Sequence, residues 1–489
     1  MQNPTGHEVT RPLTGLGWVA YRLEMWLARW WLVAALVAGF AALGVAVAAG
    51  DLRLAAIAIG AFVAVGALSR TLGKEDAVIA LGLFGWAFAF RLLVVLILTF
   101  VSSEYAAGGL LSPDGIGYMH GSTALVESGF NVGPPFAFFG TYDIGQYYVF
   151  AAVMRLLGSD FMVLAMFNAA VGALAAPVAF AWARLTVPRH AVLIGVVGAV
   201  SPSLALLSTT NLLKDPLVIL GSLIVALSVA QAVRLEKIGI TMWFWIGICA
   251  ITLAFLHTTR FYVAAYLELA LIVVIGVQLI RTGGRPQRLP SLMGLVGAIL
   301  VAEILAGSLG WPSSPAMISS QVQYVAETRA MQPALEQDDL GNRVPGLATA
   351  VDVARRILGP FVWIPPAGLG LRYLILADFD LYADTFLWYA ILPFLAVGIV
   401  IALMALWRHR DAPLGLGYLA IFLCVYLAQY LAINLSYRQR EDVFLLALGF
   451  VPGGAQWVFS RRPGKALYVG YWVLLLIVAT GHTILRSRA

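Results

Sequence analysis

The chain has 489 residues, of which 61% are hydrophobic and only 11% charged, with a formal net charge of +6. A soluble domain is nearer half apolar and a quarter charged, so these figures exclude an ordinary soluble enzyme. The basic excess lies in short clusters between apolar runs, which is how a membrane protein sets its orientation rather than how a chain holds nucleic acid.

Apolar stretches of spanning length recur throughout, and a bilayer admits them as helices, which satisfy their own backbone. The expected fold class is an all-α polytopic membrane protein. Windows of about 20 residues give about 13 spans. They lie near 30–50, 53–69, 79–101, 160–184, 190–207, 216–234, 241–257, 261–280, 290–309, 385–407, 413–433, 443–460 and 466–485. The first run ends in small residues ("GVAVAAG"), but its long polar lead and spanning length read as a signal anchor, not a cleaved peptide. Cys249 and Cys424 both fall inside apolar runs, which argues against a structural disulfide or a cysteine metal site.

Alternate loops give the orientation. "SRTLGKEDA", "ARLTVPRHA", "VRLEKIG", "RTGGRPQR", "WRHRD" and "SRRPGKA" are each basic and mark the cytoplasmic side. The other set faces outward and carries most of the acids. The basic end "RSRA" falls outward on this count, against the rule. Four segments follow: 1–78, an N-terminal stretch with two additional spans; 79–309, a membrane core including the outward loop 102–159; 310–384, a long outward loop; and 385–489, the last spans. Residues 147–157 are apolar but too short to span, which suits a helix at the interface.

Polar residues on the outward side are the candidates for chemistry. In "LLSPDGIGYMHGSTALVESG", Asp114 is either a helix cap or a general base at the membrane surface; Tyr118 follows one turn later and His120 just after. In "STTNLLKDPLVIL", Asp215 and Pro216 make a standard helix start. Lys214 is not needed for that and suits a lipid phosphate. "HTTRFY" is a tight outward turn with His257 and Arg260, the arginine either snorkelling or binding an anion. "NLSYRQRED" carries Tyr437, Arg438 and Arg440 where basic residues are scarce. Its arginines either pair locally with Glu441 or Asp442 or form an anion site. Arg91, Glu268 and Glu303 lie inside spans, where each is a functional candidate by default or pairs within the bundle. No phosphate-binding Gly-rich loop and no His-Glu-x-x-His helix is present, and "DFD" at 378–380 is a weak match to a metal- or sugar-nucleotide-binding turn.

Taken in order, these pieces resemble the GT-C superfamily of membrane glycosyltransferases, whose relatives include protein O-mannosyltransferases, aminoarabinose transferases and bacterial exopolysaccharide-type members. The resemblance rests on "FRLLVVLILTF" followed by Asp114 and Tyr118, then "YYVFAAVMRLLGSD", "FNAAVGALAAPVAFAWARL", "SPSLALLSTTNLLKDPLVIL", "TTRFY" and "YRQRE". It covers residues 85–280 well and 430–455 loosely; the first two spans look like additions. It implies a sugar donor on a polyprenyl-phosphate carrier, and a glycan, lipid or protein acceptor. It also implies an active site on the periplasmic or extracellular face of a bacterial inner membrane. Asp114 would deprotonate the acceptor, and Asp215 would assist or bind a divalent cation. Tyr118, His120, His257 and Tyr437 would line the site, while Lys214, Arg260, Arg438 and Arg440 would meet the carrier phosphate. Some relatives carry an acidic pair in the first loop where this chain has one Asp, so the resemblance leaves metal use open. Two other expectations stand beside it: a polymerase joining diphosphate-linked oligosaccharides, and, from another class, a transporter or lipid flippase.

Overall fold

The computed structural model describes residues 16–50, 53–101, 113–131, 144–209, 212–235, 238–282, 289–309, 379–408, 414–430 and 437–487, with isolated positions between 311 and 323. Nearly all of the long loop 310–384, including Asp378, lies outside the described residues. Among the described residues the regular structure is helical, with no strand.

The helices run in chain order: α1 (Leu16–Ala49), α2 (Arg53–Ser69), α3 (Lys74–Val101), α4 (Pro113–Glu127), α5 (Gly145–Leu157), α6 (Phe161–Thr186), α7 (Ala191–Val200), α8 (Pro202–Thr209), α9 (Asp215–Arg234), α10 (Ile240–Thr282), α11 (Leu289–Ser308), α12 (Phe379–Arg408), α13 (Leu414–Tyr430), α14 (Tyr437–Ala447), α15 (Val451–Ser460) and α16 (Arg462–Ser487). Among the described residues, seven are long and apolar enough to cross a membrane: α1, α3, α6, α9, α10, α11 and α12.

The centre of the bundle is α6, "FMVLAMFNAAVGALAAPVAFAWARLT", buried along almost its whole length. Between lipid-soluble helices there is no hydrophobic driving force, so close packing of small residues holds them together. The alanines and glycine of α6 supply it, and α2, α3, α7, α8 and α9 all pack against this helix.

Two expected spans are each two shorter helices. The 190–207 run breaks between α7 and α8 at Ser201, whose backbone is extended (ψ 120°). Its hydroxyl accepts from the Leu204 N–H at 3.3 Å, a cap, and Pro202 starts the next helix where a missing N–H costs nothing. The 443–460 run breaks between α14 and α15, where Pro452 again occupies the first turn. A hydropathy window reads through such breaks because the residues around them are apolar.

The opposite holds for α10. At 43 residues it would be about 65 Å long if straight, twice a hydrocarbon core of about 30 Å. It is not straight. Arg260 has non-helical backbone angles (φ −153°, ψ 81°). His257 and Glu268, 11 residues apart, meet at 2.9 Å, where a straight helix would hold them about 16 Å apart. The chain folds at Arg260, the turn expected at "HTTRFY", and joins the two expected spans 241–257 and 261–280.

Candidate functional site

Arg260 sits on that fold and is 6% exposed. One terminal nitrogen donates to Asp442 Oδ2 and the other to Asp215 Oδ1, the latter at 3.1 Å. Both carboxylates are fully buried. Tyr426 donates its hydroxyl to the same Asp442 oxygen at 3.1 Å, and the Arg260 guanidinium lies 5.9 Å from the Tyr262 ring centre. Four distant parts of the chain thus meet: α9, the α10 turn, α13 and α14.

The cluster is polar and incompletely satisfied. Asp442 Oδ1 is buried with no hydrogen-bond partner among the described residues. Burial pushes the Asp442 carboxyl up to about 6, against the pull of Arg260, and the nearby Asp215 charge pushes the same way. Lys214, 8% exposed, stands at the start of α9 beside Asp215. This end of a long helix carries partial positive charge and attracts anions.

The segment carrying α4 and α5 is packed against this centre. Gly145 opens α5, and a Cβ there would strike Thr258 Oγ1 and come within 2.6 Å of Thr259 Cγ2. Only the missing side chain lets α5 approach the α10 turn so closely. Next to it Gln146 is fully buried, and neither end of its amide has a hydrogen-bond partner among the described residues. Such groups are costly in apolar surroundings. Tyr147 stacks edge-on against Tyr118 of α4, ring centres 5.2 Å apart.

Among the residues singled out from sequence, the structure brings together Lys214, Asp215, His257 and Arg260. Tyr118 reaches the same end through α5. His120 is exposed on α4. Asp114 lies in the first turn of α4, and Tyr437, Arg438 and Arg440 in the first turn of α14; their side chains lie outside the described residues.

Sequence reasoning missed two members. Asp442 stands in the sequence reading only as one of two local partners, with Glu441, that Arg438 or Arg440 could take; in the structure it pairs with Arg260, 182 positions away. Tyr426 gave no signal, being one aromatic in an apolar run. Both ends of the Arg260 guanidinium engage carboxylates.

The intramembrane charges have separate explanations. Arg91 is fully buried. It donates to the carbonyls of Gly198 and Ala199 at 3.3 and 3.2 Å, to Ala87 O at 3.0 Å and to Ser208 Oγ at 3.1 Å. It therefore closes the C-terminal end of α7, whose last carbonyls lack helical partners and favour a cation. Glu268 meets His257, as described, and Glu303 of α11 completes a three-residue group with them.

No protein-family model matches this chain, and no curated protein matches it.

Proposed function

We propose that the protein is an integral membrane glycosyltransferase that moves a sugar from a polyprenyl-phosphate carrier to an acceptor hydroxyl on the outer face of the membrane. The observation that carries this reading is the convergence at one end of the bundle: α4 and α5, Lys214 and Asp215 of α9, the Arg260 turn and α14. These segments belong to the outward set by the charge rule.

Glycosyl transfer at such a surface needs a base for the acceptor and cations for the leaving phosphate. Asp114 takes the acceptor proton. The acceptor oxygen forms its bond to the anomeric carbon as the bond to the carrier phosphate breaks, and the polyprenyl phosphate leaves with the electron pair. Lys214, at the positive end of α9, and Arg438 and Arg440 on α14 receive that charge. Arg260 acts as a positioning residue, holding Asp215 and Asp442. The unpartnered Asp442 oxygen and the Gln146 amide are hydrogen-bonding groups suited to sugar hydroxyls.

An apolar groove of about 460 Å³ between α1, α3 and α7, lined by Trp26, Leu83, Trp86, Phe90 and Val196 among others, fits a prenyl chain by chemistry and shape.

The test is transfer by purified protein in lipid, with a radiolabelled polyprenyl-phosphate sugar and an envelope acceptor. Wild type is expected to move label, and Asp114→Asn, equally folded by circular dichroism, to lose at least about 100-fold, the scale of a missing general base. Chain growth from diphosphate-linked oligosaccharides, with none from monophosphate donors, would replace the reading with a polymerase.

A further inference from the structure

Just beyond the Arg260 turn is a second polar cluster that the proposed chemistry does not use. His257 precedes the turn, Glu268 follows it, and Glu303 comes from α11. His257 is 0% and Glu268 2% exposed, and Glu303 is half-buried. Their ligand atoms, one imidazole nitrogen and two carboxylate oxygens, all lie within 4.8 Å of one another.

Three features point to one occupant. The first is donor chemistry. One imidazole and two carboxyl groups, with His257 and Glu268 buried among apolar helices, are the side-chain types that hold a divalent cation. The second is geometry. Tetrahedral ligands with bonds of about 2.0–2.2 Å to a zinc ion stand about 3.3–3.6 Å apart, so the observed group closes on an ion with side-chain shifts on the order of 1 Å. The third is the surroundings. The Glu268 charge reaches Cys249 and Tyr418, both fully buried. The Tyr418 hydroxyl has no hydrogen-bond partner among the described residues and is available to a ligand shell.

We infer that His257, Glu268 and Glu303 form a binding site for a first-row divalent cation of the zinc type, which ties the two limbs of α10 to α11 beneath the Arg260 turn. The donor set selects among cations: an imidazole with carboxylates suits zinc and its neighbours, whereas calcium and magnesium take oxygen alone. The ion fixes the fold of α10 and, through it, the place of Arg260 between Asp215 and Asp442. The inference rests on this cluster alone and stands whatever substrate the outward face takes.

The experiment uses the full chain in lipid nanodiscs, without an affinity tag, dialysed against EDTA and titrated with zinc chloride. Zinc retained after gel filtration is counted by mass spectrometry, and thermal unfolding is followed in parallel. Wild type is expected to hold about one zinc per chain and to melt several degrees higher when loaded, by linkage. Glu268→Gln should abolish both effects. Glu303→Gln, at a half-buried position and so the safer variant for folding, should weaken zinc binding at least about tenfold, as loss of a ligand requires. Its own melting temperature should no longer respond to zinc. Wild type that retains no zinc, or Glu303→Gln that binds it as tightly, overturns the site. A failed transfer assay does not touch it, and a failed zinc titration does not touch the transferase reading.

Discussion

Among the described residues, two arginines each hold two carboxylates, at opposite ends of α6. At one end Arg184, in the last turn of α6, pairs with Glu24 of α1 and with Asp76 of α3 at 2.8 Å. At the other end Asn168 of α6 donates to Leu213 O at 3.3 Å, next to Asp215 and hence to Arg260. The 16 residues from Asn168 to Arg184 make these ends about 24 Å apart along the helix. The two clusters share a formula and differ in solvent. The Arg184 side chain is 24% exposed and those of its acids 28% and 27%; the Arg260 side chain is 7% exposed and those of its acids 0%.

That difference decides what each can do. At the Arg184 end water shares the charges, and the cluster is a staple for α1, α3 and α6 worth little beyond packing. Desolvated charges at the Arg260 end are costly to keep and costlier to break. Fold stability alone does not call for them, since apolar residues of similar volume would serve as well. Buried charge retained in a membrane bundle is what a site requires.

The largest effect is expected at Arg260. Arg260→Ala leaves two carboxylates facing each other without a counter-charge, and the expected loss is about 3–5 kcal/mol of unfolding free energy, read by denaturant titration in mixed micelles. Adding Asp442→Asn should return part of that stability, because the residual repulsion falls, with a coupling of about 0.5–3 kcal/mol. Transfer should not return. If the double variant is no more stable than Arg260→Ala, the two acids do not share the guanidinium.

How much of this centre was legible beforehand follows from sequence distance. Asp215 and Pro216 announce a helix start, and "HTTRFY" announces a turn, because caps and turns are local chemistry. The turn stands where expected; the helix start is one residue earlier than Asp at the cap, with Lys214 at the cap position and Asp215 the first helical residue. The partners of Arg260 are not local. Asp442 lies four residues after Arg438, so a reading confined to neighbours assigns it there, and only the packing of α14 onto α9 takes it elsewhere. The spans show the same rule. Hydropathy locates α3, α6, α9 and α11 well, yet passes over the Ser201 break, because Ser-Pro is a two-residue signal inside a window ten times longer. Gln146 gave no signal in the sequence, because its burial depends on the packing of α5 against helices distant in the chain.

The approach of α5 to the α10 turn sharpens the comparison at intermediate size. Gly145→Ala adds one methyl where Thr258 and Thr259 already stand, and overpacking of this kind costs about 1–3 kcal/mol. The expected readout is lower transfer with the zinc stoichiometry unchanged, because the variant moves α5 off the turn without touching His257, Glu268 or Glu303. Full activity in Gly145→Ala would mean that α5 is not held by this contact.

The smallest effect belongs to Arg184. Arg184→Ala removes the two ion pairs and a hydrogen bond to Pro188 O at 3.1 Å, and the acids it leaves are about a quarter exposed, so water takes over their charges. The expected loss is about 1 kcal/mol, shrinking further as salt screens what remains. Transfer at the far end should be unchanged. The pair of variants is the sharp form of the comparison: the same chemical deletion, from the same residue type with the same number of acidic partners, should cost several times more at the Arg260 end. Equal costs would mean that burial is not what separates the two clusters, and the case for a site at Arg260 would lose its physical ground.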